Sequence, residues 1–231
     1  MSLSIRTMHS EDIDRALELC RAAGWNQVRA DWEYFVANAT CIVATDGERV
    51  AGTCTVLFPC GPLAWIAMLL VDPSVRRQSI ASRLFTCTLD TITAPTTGLD
   101  ATPEGRPLYE RFGFSPSHEI VRWRRPPAAL NPPAAAPPCR WRKGHDSHHI
   151  GPLVAGSVDE ASNQVLSCLA IDTDRSWILD VPATATRAWQ NWLANTGFVP
   201  RRTFVRMYRG PIPPSNPDLY ATSGPEFPDM P

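Results

Sequence analysis

The chain reads as an α/β protein, a sheet covered by helices, followed by a smaller partial copy of its own back half. Three observations predict this. Apolar residues alternate between strand and helix periods in the order β-α-α-β-β-β-α-β-α-β over residues 1–125. A short motif recurs at fixed spacing near residues 113 and 197. The hydrophobic content of 44% over 231 residues is enough for one large or two small cores, which excludes a fully disordered chain.

Leu3-Ser4-Ile5-Arg6 predicts a short strand. Ser10 is placed to cap a helix whose first turn holds Glu11 and Asp12, the charge a helix N-terminus favours. Ile13, Ala16, Leu17 and Cys20 form its apolar stripe, and Gly24 can end it. A second helix is predicted over 31–38, with Trp32, Phe35 and Val36 on one face. Residues 41–44 and 50–58 flank Asp46-Gly47 as a hairpin, and 63–71 is a long apolar strand. An amphipathic helix over 80–92, a strand over 97–101, a helix over 104–112 and a strand over 119–123 complete the unit.

Six of the 23 prolines precede residue 115 and seventeen follow it. Residues 126–138 hold six of them without a charge and read as a stiff linker. Residues 211–231 hold seven and read as a disordered or loosely attached tail. The domains are therefore expected at 1–125 and 139–210. Gly113-Phe114-Ser115-Pro116 with Val121-Arg122 matches Gly197-Phe198-Val199-Pro200 with Val205-Arg206 at a constant offset of 84. Leu99-Asp100 matches Leu179-Asp180 at 80, and Gly61-Pro62-Leu63 matches Gly151-Pro152-Leu153 at 90. The second segment is read as a worn copy. What recurs in both copies is expected to be architectural, and what differs is where a task was lost or gained.

The formal net charge of −1 argues against bulk electrostatic binding of nucleic acid, and no apolar run reaches the ~20 residues of a membrane span. Met1 to Arg6 contains no apolar signal core, so a cytosolic location is expected. None of the seven cysteines forms a Cys-x-x-Cys pair, so they read as reduced, mostly buried thiols. The His145, His148 and His149 patch lacks a second cluster, and no metal is expected. Arg122, Arg124, Arg125, Arg140, Arg142 and Lys143, with Trp123 and Trp141, bracket the linker; they read as solvent-facing edge-strand residues rather than an RNA-stacking surface.

Residues 71–82 occur in the first copy only. They join a buried strand to a helix start, where orphan N–H groups and a helix dipole suit a phosphate, and Arg76 and Arg77 add donors. An exposed basic loop is the competing reading.

Here the chain resembles the GNAT superfamily of acyl-CoA-dependent N-acyltransferases. Val71-x-Pro73 followed by Arg76-Arg77-Gln78-Ser79-Ile80-Ala81 resembles the family's strand-loop-helix signature, and Leu108-Tyr109-Glu110-Arg111-Phe112-Gly113-Phe114 its second pattern. Gly24-Trp25-Asn26-Gln27, Asp31-Trp32 and Leu99-Asp100-Ala101-Thr102-Pro103 are similar to a subgroup with a second GNAT-like domain.

The resemblance implies a mixed, mostly antiparallel sheet, splayed between 65–71 and 97–101 to leave a gap for a thioester. It implies acetyl transfer from acetyl-CoA to a primary amine of a small molecule. Leu70 and Val71 would pair with the pantetheine arm, and N–H groups of Gln78, Ser79, Ile80 and Ala81 would hold the pyrophosphate. Tyr109 would protonate the thiolate; its repeat counterpart is the apolar Leu193. Asp100 is the acid available as base, although Asp180 recurs opposite it. Trp25, Asn26 and Trp32 would line the acceptor pocket, against the competing reading of core tryptophans.

Ser79 stands where the family has glycine. If the site needs positive φ, serine costs about 1 kcal/mol; if it does not, Ser79 can serve as an N-cap. The rival functions are a non-catalytic acyl-CoA sensor or scaffold and, more distantly, nucleic-acid binding through the arginine-flanked linker.

Overall fold

The computed structural model describes residues 3–58, 60–129, 140–214, 216 and 218–222. Residues 130–138 of the expected linker and 215, 217 and 223–231 of the expected tail lie outside these residues. Two compact units emerge, and their boundaries differ from those of the sequence repeats. Unit 1 comprises Met1–Leu99 with Tyr208–Ile212, and unit 2 comprises Asp100–Met207 with Pro213–Pro231.

In unit 1, strands β1 (Leu3–Thr7), β2 (Thr40–Asp46), β3 (Arg49–Leu57), β4 (Leu63–Val71) and β5 (Thr96–Ala101, its last two residues in unit 2) follow one another in sheet order. Neighbours are antiparallel except β4 and β5, which run parallel. Helices α1 (Ile13–Ala22), α2 (Arg29–Asn38) and α3 (Ile80–Leu89) supply the apolar faces over it. The stripe Ile13, Ala16, Leu17 and Cys20 is buried, as are Trp32, Phe35, Leu84 and Phe85. Gly24 ends the first helical region at φ 66°, and Gly47 turns the β2–β3 hairpin at φ 60°.

The first helix starts differently from its sequence reading. Ser10–Asp12 form a 3₁₀ turn, and the Asp12 carboxylate accepts from the His9 N–H (2.8 Å) and from both Arg6 nitrogens (2.7 and 2.9 Å). Asp12, not Ser10, is the acceptor that fixes this entry.

In unit 2 the sheet order is β11 (Val199–Arg209, its last two residues in unit 1), β6 (Ser115–Arg125), β10 (Ser176–Pro182), β8 (Ser147–Ile150), β7 (Trp141–Arg142). Two further short strands, β9 (Leu153–Val154) and β12 (Leu219–Ala221), pair with each other. Helices α4 (Arg106–Arg111), α5 (Val158–Ile171) and α6 (Arg187–Asn195) complete it. Its core joins Ile150, Leu153, Val165, Leu169, Trp177, Trp189, Leu193 and Phe198. The closing strand of the first repeat, β6, thus pairs with β10 of the second, while the end of β11 belongs to unit 1.

β12 and the residue after it correct the expectation of an unpacked tail for residues 219–222: Ala221 and Thr222 are buried. Of the basic residues around the linker, Arg140 and Lys143 are exposed as expected, whereas Arg122, Arg124 and Arg125 are engaged inside the fold. Arg122 pairs with Asp180, Arg124 donates to Ser176 Oγ (3.1 Å), and the buried Arg125 donates to the Thr196 carbonyl (2.9 Å). Trp123 packs on the unit 2 core and Trp141 against Trp177. Those engagements take Arg122, Arg124 and Arg125, with Trp123 and Trp141, out of the stacking surface that the RNA reading requires.

No helix among the described residues is long and apolar enough to cross a membrane. Cys20, Cys41, Cys54 and Cys168 are buried free thiols, and Cys60 is exposed. Burial pushes the Cys20 and Cys41 thiols up to about 11 and Cys54 to about 12. Thiol titration of the native chain at pH 8 is therefore expected to label Cys60 rapidly and to leave these three unmodified until denaturant is added.

Candidate active site

The distinctive geometry of unit 1 begins where β4 leaves β5. Their parallel register covers Leu63↔Thr96, Ala64↔Thr97 and Trp65↔Gly98 only, three of the nine residues of β4. Gly98 permits the close approach at this root: a Cβ there would lie 2.5 Å from the Trp65 ring and 2.9 Å from Tyr208. Beyond it, β4 carries a register shift against β3, with Met68 at φ 56° and its carbonyl accepting from Thr53 Oγ1 (2.7 Å). Such a bulge bends the strand and re-aims the residues beyond it. Leu70 and Val71 are on this divergent stretch.

The loop after β4 is anchored by one carboxylate. Asp72 is buried and accepts from the Ser74 N–H (2.9 Å), Ser74 Oγ (2.7 Å), Arg49 (2.6 Å) and Arg15. Burial works against its charge, but the Ser74 donors and the two arginines hold its carboxyl below the ordinary range. With its start pinned, the loop runs exposed through Arg76, Arg77, Gln78 and Ser79 into α3 at the buried Ile80, with Ala81 half-buried.

Arg77 (φ 63°) and Ser79 (φ 59°) are both left-handed. Alternation of that kind turns successive amides toward one concavity that suits an anion. Arg83 N–H, bonding to the Ser79 carbonyl (3.0 Å), marks the first closed turn, so the preceding amides are the orphan donors of this helix. Arg76 and Arg77 make no ion pair among the described residues.

Ser79 makes no side-chain cap bond, so the N-cap alternative is replaced by the strained one. Ser79→Gly is expected to relieve about 1–2 kcal/mol of left-handed strain, set against about 0.5–1 kcal/mol of added chain entropy. Urea unfolding should then show a net gain; a loss would contradict the strain argument.

Unit 2 holds the other candidates. Tyr109 is half-buried on α4, its ring edge against Phe114 (centroids 6.4 Å) and over Gly105, where a Cβ would meet the ring at 3.1 Å. Both Asp100 oxygens accept from the buried Arg206, at 2.8 and 2.9 Å. Asp180 does the same with Arg122, at 2.7 and 2.6 Å. The recurrence of the aspartates and of the Val-Arg pairs is therefore one architectural ion pair made twice. Both Asp100 oxygens are occupied by Arg206, so the base role expected for Asp100 gives way to an architectural one.

In the loop between α1 and α2, Trp25 and Asn26 are half-buried. Trp32 is fully buried against Phe35 and is a core residue, not a pocket wall. Sequence reasoning passed over Gln27, whose Oε1 is buried without a hydrogen-bond partner among the described residues. No sequence signal marks it beyond its place in the motif.

His148 and His149 are neighbours on β8 with separate partners. His148 meets Asp172 (3.0 Å) between Trp141 and Trp177, and His149 lies 3.4 Å from Asp180. Among the described residues no group of three His, Cys, Asp or Glu is placed to hold a metal.

Residues 37–116 and 140–221 each match a family described as Acetyltransferase (GNAT) domain. The chain belongs to the GNAT acetyltransferase family. It carries two GNAT domains in tandem, and both units are GNAT-type mixed sheets covered by helices. A Bacillus subtilis protein described as the uncharacterized N-acetyltransferase YitH is 28% identical over 124 residues, 50% of this chain. This chain covers 42% of the length of that relative. Among solved structures, a Pyrococcus horikoshii protein described as an acetyltransferase matches 95% of this chain and 93% of its own at TM-score 0.76 and 19% identity. A tandem GNAT protein of the clavulanic acid biosynthesis pathway matches 92% of this chain and 100% of its own at TM-score 0.66 and 13% identity. At those identities the likeness is one of fold.

Proposed function

We propose that the chain transfers an acetyl group from acetyl-CoA to a primary amine of a small molecule, using the crevice of unit 1. The observation that carries this reading is the divergence of β4 from β5 after Trp65, followed by the Arg76–Ala81 loop with two left-handed residues. A free strand edge suits the amide-bearing pantetheine arm, and outward amides beside two arginines suit a diphosphate. The residues present therefore fit the cosubstrate.

Leu70 and Val71 would hold the arm by backbone pairing. Gln78, Ser79, Ile80 and Ala81 would bind the diphosphate through N–H groups, with Arg76 and Arg77 adding charge. The amine nitrogen attacks the acyl carbon, the C–S bond breaks, and Tyr109 gives its phenolic proton to the departing thiolate. The ammonium proton leaves to water, since Asp100 is committed to Arg206, and the Tyr109 phenolate regains a proton from water before the next turnover. Trp25, Asn26 and the Gln27 Oε1 would face the acceptor, a half-apolar wall with one spare hydrogen-bond acceptor for an amine.

Two measurements test the reading. Acetyl-CoA is expected to raise the melting temperature, since a ligand that binds only the native state stabilises by about 2.7 kcal/mol at 100 Kd. Incubation with a panel of small amines is expected to release free CoA thiol. Thermal stabilisation without thiol release on any amine would favour the sensor reading instead.

A further inference from the structure

Pairing registers align the two units more closely than sequence motifs do. β4 sets Leu63 against Thr96 of β5, and β8 sets Ser147 against Ser176 of β10. Thr96 and Ser176 correspond through Leu99-Asp100 and Leu179-Asp180, at offset 80. Leu63 therefore corresponds to Ser147, an offset of 84, the same as that of the C-terminal motif. The Gly-Pro-Leu match at offset 90 is out of register. Gly151-Pro152 instead interrupts the strand next to the position where β4 has its bulge, and Leu70 and Val71 correspond to Val154 and Ala155.

Those two residues already have a partner. Val154 is in register with Leu219 of β12, and the Ala155 N–H donates to the Asp218 carbonyl (3.0 Å). On the other side of the same segment the Thr222 N–H donates to the Asp180 carbonyl on β10 (2.7 Å). Residues 218–222 thus run between the counterparts of β4 and β5. The segment is locked from outside as well. Trp189 Nε1–H donates to the Tyr220 carbonyl (3.2 Å), its ring meets the Tyr220 ring edge-on (5.3 Å), and Arg206 donates to the buried Thr222 Oγ1 (3.0 Å).

The anion end is filled too. The eight residues 72–79 shrink to Gly156 and Ser157 ahead of α5. There the Glu160 carboxylate accepts from the Gly156 N–H (2.8 Å), while Ser157 Oγ accepts from the Glu160 N–H (3.2 Å). A carboxylate on the Gly156 N–H and a hydroxyl on the Glu160 N–H take two of the donors at this helix start and place a negative charge there, which disfavours a second anion.

We propose that the second repeat has turned its cofactor crevice into a docking site for the chain's own residues 218–222. That segment takes the backbone positions that β4 would offer a pantetheine arm, and Glu160 takes the position of a phosphate. The chain then binds one acyl-CoA, in unit 1, and uses the second crevice to fix its C-terminal segment. This rests on the acyl-CoA reading of unit 1.

Amide hydrogen exchange of the full chain, with and without CoA at about 100 Kd, tests it. Residues 153–155 and 219–222 are expected to be protected without CoA and unchanged by it. Residues 70–71 and 78–81 should slow by up to about 100-fold on addition. Calorimetric titration should give one CoA per chain. Fast exchange at 153–155 in the free chain, a CoA-dependent change at 153–155 or 219–222, or two CoA per chain would overturn the proposal. No response at 70–81 would instead sink the reading of unit 1 on which it stands.

Discussion

Arg122→Ala is expected to destabilise the chain by about 3–5 kcal/mol, the usual consequence of removing one partner of a buried pair. Asp180 is 7% exposed and accepts both of its short bonds from Arg122; His149, at 3.4 Å, is a poor substitute because burial lowers its affinity for a proton. The loss comes from a stranded carboxylate rather than from a missing attraction. Arg122→Met combined with Asp180→Leu should therefore recover much of it. Burial raises the Asp180 pKa, but the charge and hydrogen bonds of Arg122, helped by His149, outweigh it and hold the carboxyl far below the usual range. In wild type the unfolded chain consequently binds this proton first as pH falls. The stabilising contribution is complete above about pH 4 and is lost progressively below it. The gap between wild type and Arg122→Ala, read by urea unfolding, should be widest near neutrality and narrow in acid.

Tyr109→Phe is expected to lower kcat by about 10²–10⁴-fold, the ordinary worth of a positioned general acid, with little change in the KM for acetyl-CoA. The substitution keeps the ring that packs on Gly105 and against Phe114, so its melting temperature should stay close to wild type. A variant as fast as the parent would show that the thiolate takes its proton from elsewhere. The pH profile separates this from simple misplacement: loss of an acid removes the alkaline limb, whereas a displaced ring scales the whole curve.

Much of unit 1 was legible because its elements are long enough to show their period. The stripe of α1, the hairpin at Asp46-Gly47 and the nine-residue β4 all follow from apolar spacing. The conformation of Ser79 was not legible, because it depends on how the Asp72 cluster launches the loop, and Asp72 draws its partners from residues 15, 49 and 74. The role of Asp100 was half legible. The recurrence at Asp180 signalled architecture, but only the two arginine pairs say which kind. β12 escaped notice for a different reason: three residues among prolines carry no periodic signal, and their strand exists through the partners on either side. The out-of-register Gly-Pro-Leu match has the same origin, since register is a property of pairing and not of one strand's composition.

The most direct measurement is a crystal structure of the chain with acetyl-CoA bound. A diphosphate is expected within hydrogen-bond distance of the N–H groups of Gln78 to Ala81, with the arm paired to Leu70 and Val71 and the sulfur facing the Tyr109 hydroxyl. A coenzyme seated elsewhere, or a phenol turned away from the sulfur, would contradict this assignment of the site.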